Sequence, residues 1–328
     1  MPTVCVGVPV WRGAEYVAET LESLLRQRGV ALTVVVSVDG ADETSVAACR
    51  PFLADSRVAV VVQPRRLGWV GNSSAVLAEA ASRATDYACL QPYDDVLEND
   101  YLAELTAAAA GNPAAAVVYS DMQGFGADDT LIRQATVAGS PFERQLSLLR
   151  EHFAAAPFRG LMRASTLRSI LPIAGNRCDD FAADTVWMAR QALHGDLVRV
   201  PLVLYRKRYH ATNTHTQWWS WSHKRRMTAW ITHCLDMLAV ALEATIVPTE
   251  RRMLHEAALW RVMHRAAWTS PKRNDANAMS RLSRIGLGLR FAAGTIAHAG
   301  IGPTIAGCRG GLRALRELWR LQLRARPR

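Results

Sequence analysis

The chain has 328 residues, half of them apolar, which is about two domains or one domain with a large appendage, and ample for a sizeable core. Its net charge is +10, but residues 250–328 alone hold 16 basic and four acidic side chains, so the first 249 residues are slightly acidic and any anionic partner is expected at the carboxyl end. No stretch of 18 apolar residues and no basic segment followed by a long apolar run occurs. A transmembrane helix and a secretory signal are therefore not expected, and the six cysteines, none in a CxxC pair, read as core thiols of a cytoplasmic protein.

The first 120 residues alternate between two periodicities. Apolar or β-branched runs at 4–9, 32–38, 57–63, 87–91 and 115–120 predict strands. Residues 14–28 place Val17, Leu21, Leu24 and Leu25 on one helical face, and the segments 71–83 and 99–110 are Ala-rich and helical. Strands alternating with helices predict βαβ units. Their short, continuously apolar strands predict a mainly parallel sheet covered on both faces, an α/β Rossmann-like fold. Residues 121–180 are less regular. Helices are expected at 142–150 and 184–194, the second ended by Gly195, and two short strands at 197–200 and 202–206. From about residue 216 long helical stretches follow, at 216–245 and 249–268, then a Gly-rich basic segment. The domain boundary is placed near 215, giving 1–215 and a basic α-helical region 216–328.

Several residues at the ends of the predicted strands carry chemistry. Asp94 and Asp95 follow the run at 87–93. In open α/β sheets ligands bind beyond the carboxyl ends of strands, and two adjacent carboxylates stay ionised most easily beside a cation. Mg²⁺ prefers one or two carboxylates plus phosphate oxygens, so the pair suggests a metal–diphosphate site, although a turn with a helix cap explains it equally well in isolation. Pro9 is expected to stop the first strand, and Trp11 is placed to stack on a base or to pack at the strand end. Asp39, at the tip of the second strand, can accept from a nucleobase N–H or cap a turn. Arg65, Gly68 and Asn72 follow the third strand, where arginines, glycines and a helix N-terminus can face a diphosphate. Asp184 opens a helix near the positive end of its dipole. The run Tyr205-Arg206-Lys207-Arg208-Tyr209-His210 alternates basic and aromatic residues that can hold phosphate or close over a ligand, and His210 can ligand a metal or serve as a hydrogen-bonded structural residue.

The order of these features resembles the inverting family 2 glycosyltransferases with the GT-A fold, over roughly residues 3–215. Val6–Arg12 resembles that family's strand ending in Pro-Thr-Tyr-Asn. Ser37–Asp42 resembles its Asp-Asp-Gly-Ser-Thr-Asp segment, Gly68–Ala81 its Gly…Asn…Ala helix, and Asp94-Asp95 its DxD-type motif. Asp184 resembles the second acid of its Glu-Asp motif, and Tyr205-Arg206 its closing Tyr-Arg-x-His segment. The chain departs from the pattern at Val38, Pro92-Tyr93 and Ala183, and in the wider spacing to His210. The resemblance implies a nucleotide-sugar donor with Mg²⁺ or Mn²⁺. Trp11 and Asp39 would hold the base, Arg65 the diphosphate, Asp94 the ribose or metal, Asp95 the metal, and Asp184 would be the general base. It also implies a glycan or lipid-linked acceptor in cell-surface glycan or glycoconjugate synthesis.

Two rivals stand beside this reading: a nucleotidyltransferase on a related fold, and a non-catalytic sugar-nucleotide-binding scaffold. In the tail, Ile305, Cys308, Leu312, Leu315 and Trp319 form an apolar helical stripe beside Arg309, Arg313, Arg316 and Arg320, so residues 303–328 are expected to pack on the protein or to dock on an anionic membrane at its inner face. No nucleic-acid recognition motif accompanies the basic tail, and no nucleic acid is expected as partner.

Overall fold

The computed structural model describes residues 1–151, 155–264 and 281–299. Its first unit comprises residues 1–138 and 153–213. Here β1 (Thr3–Val10), α1 (Val17–Leu25), β2 (Ala31–Val38), α2 (Glu43–Cys49), β3 (Val58–Val62), α3 (Gly68–Ser82) and β4 (Tyr87–Leu90) alternate as expected, apart from α2, which the sequence pattern does not announce. Asp42 starts that helix by accepting from the Ser45 N–H, a side-chain cap whose energy does not depend on hydrophobic periodicity. The short β5 (Val96–Leu97), α4 (Tyr101–Gly111), β6 (Ala115–Gly126) and β7 (Leu131–Ile132) follow. Helix α5 (Pro141–Arg150) belongs to the second unit. The chain then returns through β8 (Leu161–Arg163), α6 (Ala164–Ile170), α7 (Ala183–His194) and β9 (Asp196–Tyr209).

The strands form one sheet in the order β3-β2-β1-β4-β8-β6-β9-β5, with β7 on β6. β3, β2, β1 and β4 are mutually parallel, as are β6 and β9, while β8 is antiparallel to both of its neighbours. Val4, Val6, Val8, Val34, Val35 and Val36 are completely buried, as strands covered on both faces require. Two expectations are corrected. Pro9 does not stop β1, which runs to Val10. The Gly7 carbonyl accepts from Gln91 N–H, so the Pro9 nitrogen, two residues on, faces the same side, beyond the end of β4, where no ladder bond is asked of it. The two strands expected at 197–200 and 202–206 are one long β9. Its pairing jumps from Ser120–Val200 to Asp121–Val203, so Pro201, which has no N–H to donate, lies in an irregularity within the strand.

The second unit comprises residues 139–152 and 214–328 and includes α5, α8 (Thr214–Trp219), α9 (His223–Leu242), α10 (Pro248–His264) and α11 (Arg281–Ala299). Trp230 of α9 donates its indole N–H to the Val262 carbonyl of α10. Arg261 stacks near the Trp230 ring and donates to the carbonyls of Leu148 and Glu151, which ties α5 to the helical unit rather than to the sheet. Among the described residues no helix is long and apolar enough to cross a membrane. The tail 303–328 lies outside the described residues.

Candidate active site

The strand order reverses direction between β1, whose sequence continues to β2 on one side, and β4 on the other, and this switch point is where open α/β sheets bind ligands. The carboxyl ends of β1, β2 and β4 there present Trp11, Asp39 and the Asp94-Asp95 pair.

Trp11 is half-buried. The Arg66 guanidinium lies 4.3 Å from its ring centroid and that of Arg12 5.4 Å, so the ring has a cationic cover while Arg65 beside it is exposed. Asp39 is buried, and its two carboxylate oxygens accept from the N–H groups of Leu67 (2.6 Å) and Gly68 (3.0 Å). Gly68 has φ +76°, a conformation that costs glycine nothing. Asp39 thus holds the loop that carries Arg65 and Arg66. Asn72 is equally internal. It accepts from the Ser37 hydroxyl (2.6 Å) and donates to the Ser37 carbonyl (2.9 Å), pinning α3 to β2.

The two adjacent acids have different environments. Asp95, expected as a solvent-facing metal ligand, is 2% exposed. It accepts from the Tyr205 hydroxyl (2.6 Å), the Arg208 N–H (2.8 Å) and Arg159 Nε (3.2 Å). Burial pushes its carboxyl above the usual carboxylate range, while Arg159 and these hydrogen bonds act to hold it ionised. A cation at Asp95 would have to displace donors the fold already supplies. Asp95 instead locks β9 against the end of β4. Asp94 faces the other way: its Oδ2 meets His210 Nε2 at 2.8 Å and accepts from Asn213 Nδ2 at 3.1 Å. His210 Nδ1 lies 2.8 Å from the Thr212 hydroxyl, and the ring packs 4.8 Å from that of Tyr16. A carboxylate and an imidazole converge here. No group of three His, Cys, Asp or Glu side chains does so anywhere among the described residues, and one or two protein ligands suit a Mg²⁺ or Mn²⁺ ion that takes its other ligands from phosphate and water.

Asp184 lies in the first turn of α7, whose preceding residue Ala182 has φ +52°. Its Oδ1 accepts from the Thr185 N–H at 2.8 Å. Burial raises its carboxyl above the usual range, and Arg159, the Thr185 N–H and Lys207 pull it back down, so the acid shares one electrostatic environment with Asp95 and β9. A carboxylate that burial holds above the ordinary carboxylate range is a stronger base than a free one.

The structure therefore pairs Asp94 with His210 and Asp95 with Tyr205, Arg208 and Arg159, sets Asp184 within electrostatic reach of Arg159 and Lys207, and leaves Trp11, Arg65 and Gly68 on the segments that follow β1 and β3. Asp39 and Asn72 work inside the protein. Sequence patterns do not single out Arg159 or Asn213. Arg159 lies in the irregular stretch after residue 121 and reaches Asp95 across 64 positions, a contact no local period encodes. Arg159→Met is expected to lower unfolding free energy by about 3–5 kcal/mol, because it strands a buried carboxylate; urea unfolding followed by circular dichroism measures it. Asp95→Asn should cost less, since the amide still accepts from the Arg208 N–H.

A nine-stranded sheet with a parallel half, acids at the carboxyl edge of that half and a returning strand bonded to one of them has the arrangement of the GT-A fold. The sequence profile described as "Glycosyl transferase family 2" matches residues 5–171, and the chain belongs to that family. Solved structures support the fold. TarS of S. aureus (residues 1–349), in complex with UDP, superposes with a TM-score of 0.61 at 14% identity, covering 98% of this chain and 92% of that one. The same enzyme with UDP-GlcNAc gives 0.58 at 12% identity, covering 96% and 92%. The mannosyltransferase PcManGT of Pyrobaculum calidifontis, in complex with GDP-Man and Mn²⁺, gives 0.54 at 16% identity, covering 98% and 83%. No curated protein sequence matches the chain.

Proposed function

We propose that the protein transfers a sugar from a nucleotide-sugar donor to an acceptor hydroxyl with inversion at the anomeric carbon. The observation that carries this reading is the convergence of Asp94 and His210 at the carboxyl end of β4, 2.8 Å apart, with a second acid, Asp184, in the first turn of α7 next to the Arg159 and Lys207 charges. One base on the acceptor side and a separate site for the leaving group are what direct displacement needs. Trp11 and Arg66 would flank the base and Arg65 the diphosphate, on a loop held by Asp39 and Gly68. The ligands named for the structural neighbours, UDP, UDP-GlcNAc and GDP-Man with Mn²⁺, support the donor class and the metal.

Asp94 and His210 would hold Mg²⁺ or Mn²⁺, and when bound the ion supplies Lewis-acid neutralisation of the leaving diphosphate. The residues of the chain do the rest. Asp184 takes the acceptor proton as its oxygen attacks, and the Tyr205–Asp95–Arg208 bonds keep β9 closed over the site. Incubation with a panel of sugar nucleotides and Mn²⁺ tests the reading. Release of free nucleoside diphosphate, with inverted product by NMR, supports it. Release of pyrophosphate would favour a nucleotidyltransferase, and no turnover with retained binding a scaffold.

The acceptor would be a glycan or lipid-linked glycoconjugate on the cytoplasmic side, and the basic residues 303–328 would bring the protein to the membrane surface. The expected result is flotation with liposomes containing anionic lipid and its loss when 303–328 are removed. Flotation unchanged by that truncation would refute the assignment to the tail.

A further inference from the structure

Resting on the donor reading above, we propose that Lys207 binds the donor's diphosphate, as a second positive charge on the leaving group beside the Asp94–His210 pair. Along the pleated β9 successive side chains alternate between faces. Arg206 and Arg208 both project to Phe125, with guanidinium carbons 4.9 and 4.4 Å from its ring centroid. Tyr205, Lys207 and Tyr209 take the other face. On that face the Tyr205 hydroxyl reaches Asp95, and the Lys207 ammonium lies 4.6 Å from the Tyr209 ring centroid. Lys207 therefore shares a face with Tyr205 and lies between the two β9 residues, Tyr205 and Arg208, that bond Asp95.

The ammonium is half-buried, and among the described residues Lys207 makes no hydrogen bond and no ion pair. The carboxylates around it are engaged elsewhere: Asp95 with Tyr205, Arg159 and the Arg208 N–H, Asp94 with His210 and Asn213, and Asp184 with the Thr185 N–H. Removing an ammonium from water with only an aromatic face beside it is costly, and the cost shows in its acidity: burial, with Arg159 adding to it, brings its pKa down to about 8 against the opposing pull of Asp95, Asp184 and Asp94. At neutral pH the group is still mostly protonated. Asp94, Asp95, Asp184 and Glu19 against Arg159, Arg208 and Lys207 leave these surroundings net negative, which repels a diphosphate unless cations face it. Arg159 is committed to Asp95 and Arg208 to Glu19, which leaves Lys207 with a charge to offer.

Calorimetry of Lys207→Met and Lys207→Arg with nucleosides, nucleoside monophosphates and nucleoside diphosphates of the five common bases, in the presence of Mn²⁺, tests this. Lys207→Met should weaken binding of the preferred diphosphate by about tenfold or more and nucleoside binding by less than about twofold, and Lys207→Arg should restore most of the loss. Weakening of nucleoside and diphosphate alike would make Lys207 a structural counter-charge and overturn the inference, as would unchanged diphosphate affinity in a Lys207→Met variant whose melting transition shows it folded. If the unsubstituted protein binds none of the diphosphates, the donor reading itself falls, an outcome distinct from the failure of Lys207 alone.

Discussion

Asp184→Asn lowers the transfer rate by about two to four orders of magnitude while donor affinity stays within about twofold. The substitution keeps the size of the side chain, and its amide oxygen still accepts from the Thr185 N–H, so the first turn of α7 survives. What disappears is the capacity to accept a proton from the attacking hydroxyl. Steady-state kinetics beside calorimetry separate the two effects, and a variant that keeps more than about a tenth of the activity removes Asp184 from the role. The same assignment fixes the sign of the pH dependence. A base must be deprotonated to act, and burial raises the pKa of Asp184, so kcat falls on the acid side at a pH above the usual carboxylate range. Arg159 and Lys207 pull that pKa down, so neutralising Lys207 moves the acid limb further up.

Asp94→Asn and His210→Ala each weaken Mn²⁺-dependent donor binding by roughly ten- to a hundredfold, the scale of losing one interaction with a charged group. Neither change should unfold the protein, since the β9 lock runs through Asp95 and not through Asp94. Asp95→Asn is the contrast. It weakens the attachment of Tyr205 and Arg159 to the end of β4, lowers the melting temperature, and reduces nucleotide binding only as the closing strand loosens. Titration of Mn²⁺ into each variant with nucleoside diphosphate present reads the difference. If Asp95→Asn abolishes metal dependence in a folded protein and Asp94→Asn does not, the metal belongs to Asp95, as the sequence by itself suggested, and the geometric assignment fails.

The alternation of short apolar strands with amphipathic helices over the first 120 residues is a local property, written in side-chain period, and it was legible. So were the acids and aromatics at the strand tips, because the carboxyl ends of parallel strands are where an α/β sheet presents polar groups. Division of labour among those residues was not legible. Asp94 and Asp95 are adjacent and chemically identical in sequence. Only the return of β9, more than 100 positions later, satisfies one of them with Tyr205 and Arg208 and leaves the other to His210. Asp39 read as ligand-facing from its strand tip and Asn72 from its place near a helix N-terminus, yet the loop after β3 takes the Asp39 carboxylate for its own backbone and Ser37 of β2 takes the Asn72 amide. Arg159 carries no motif at all, and Lys207 is one of three basic residues in the run 205–210 that the pattern does not tell apart. Their significance is electrostatic and arises when tertiary folding removes water from around charges that lie far apart in the chain.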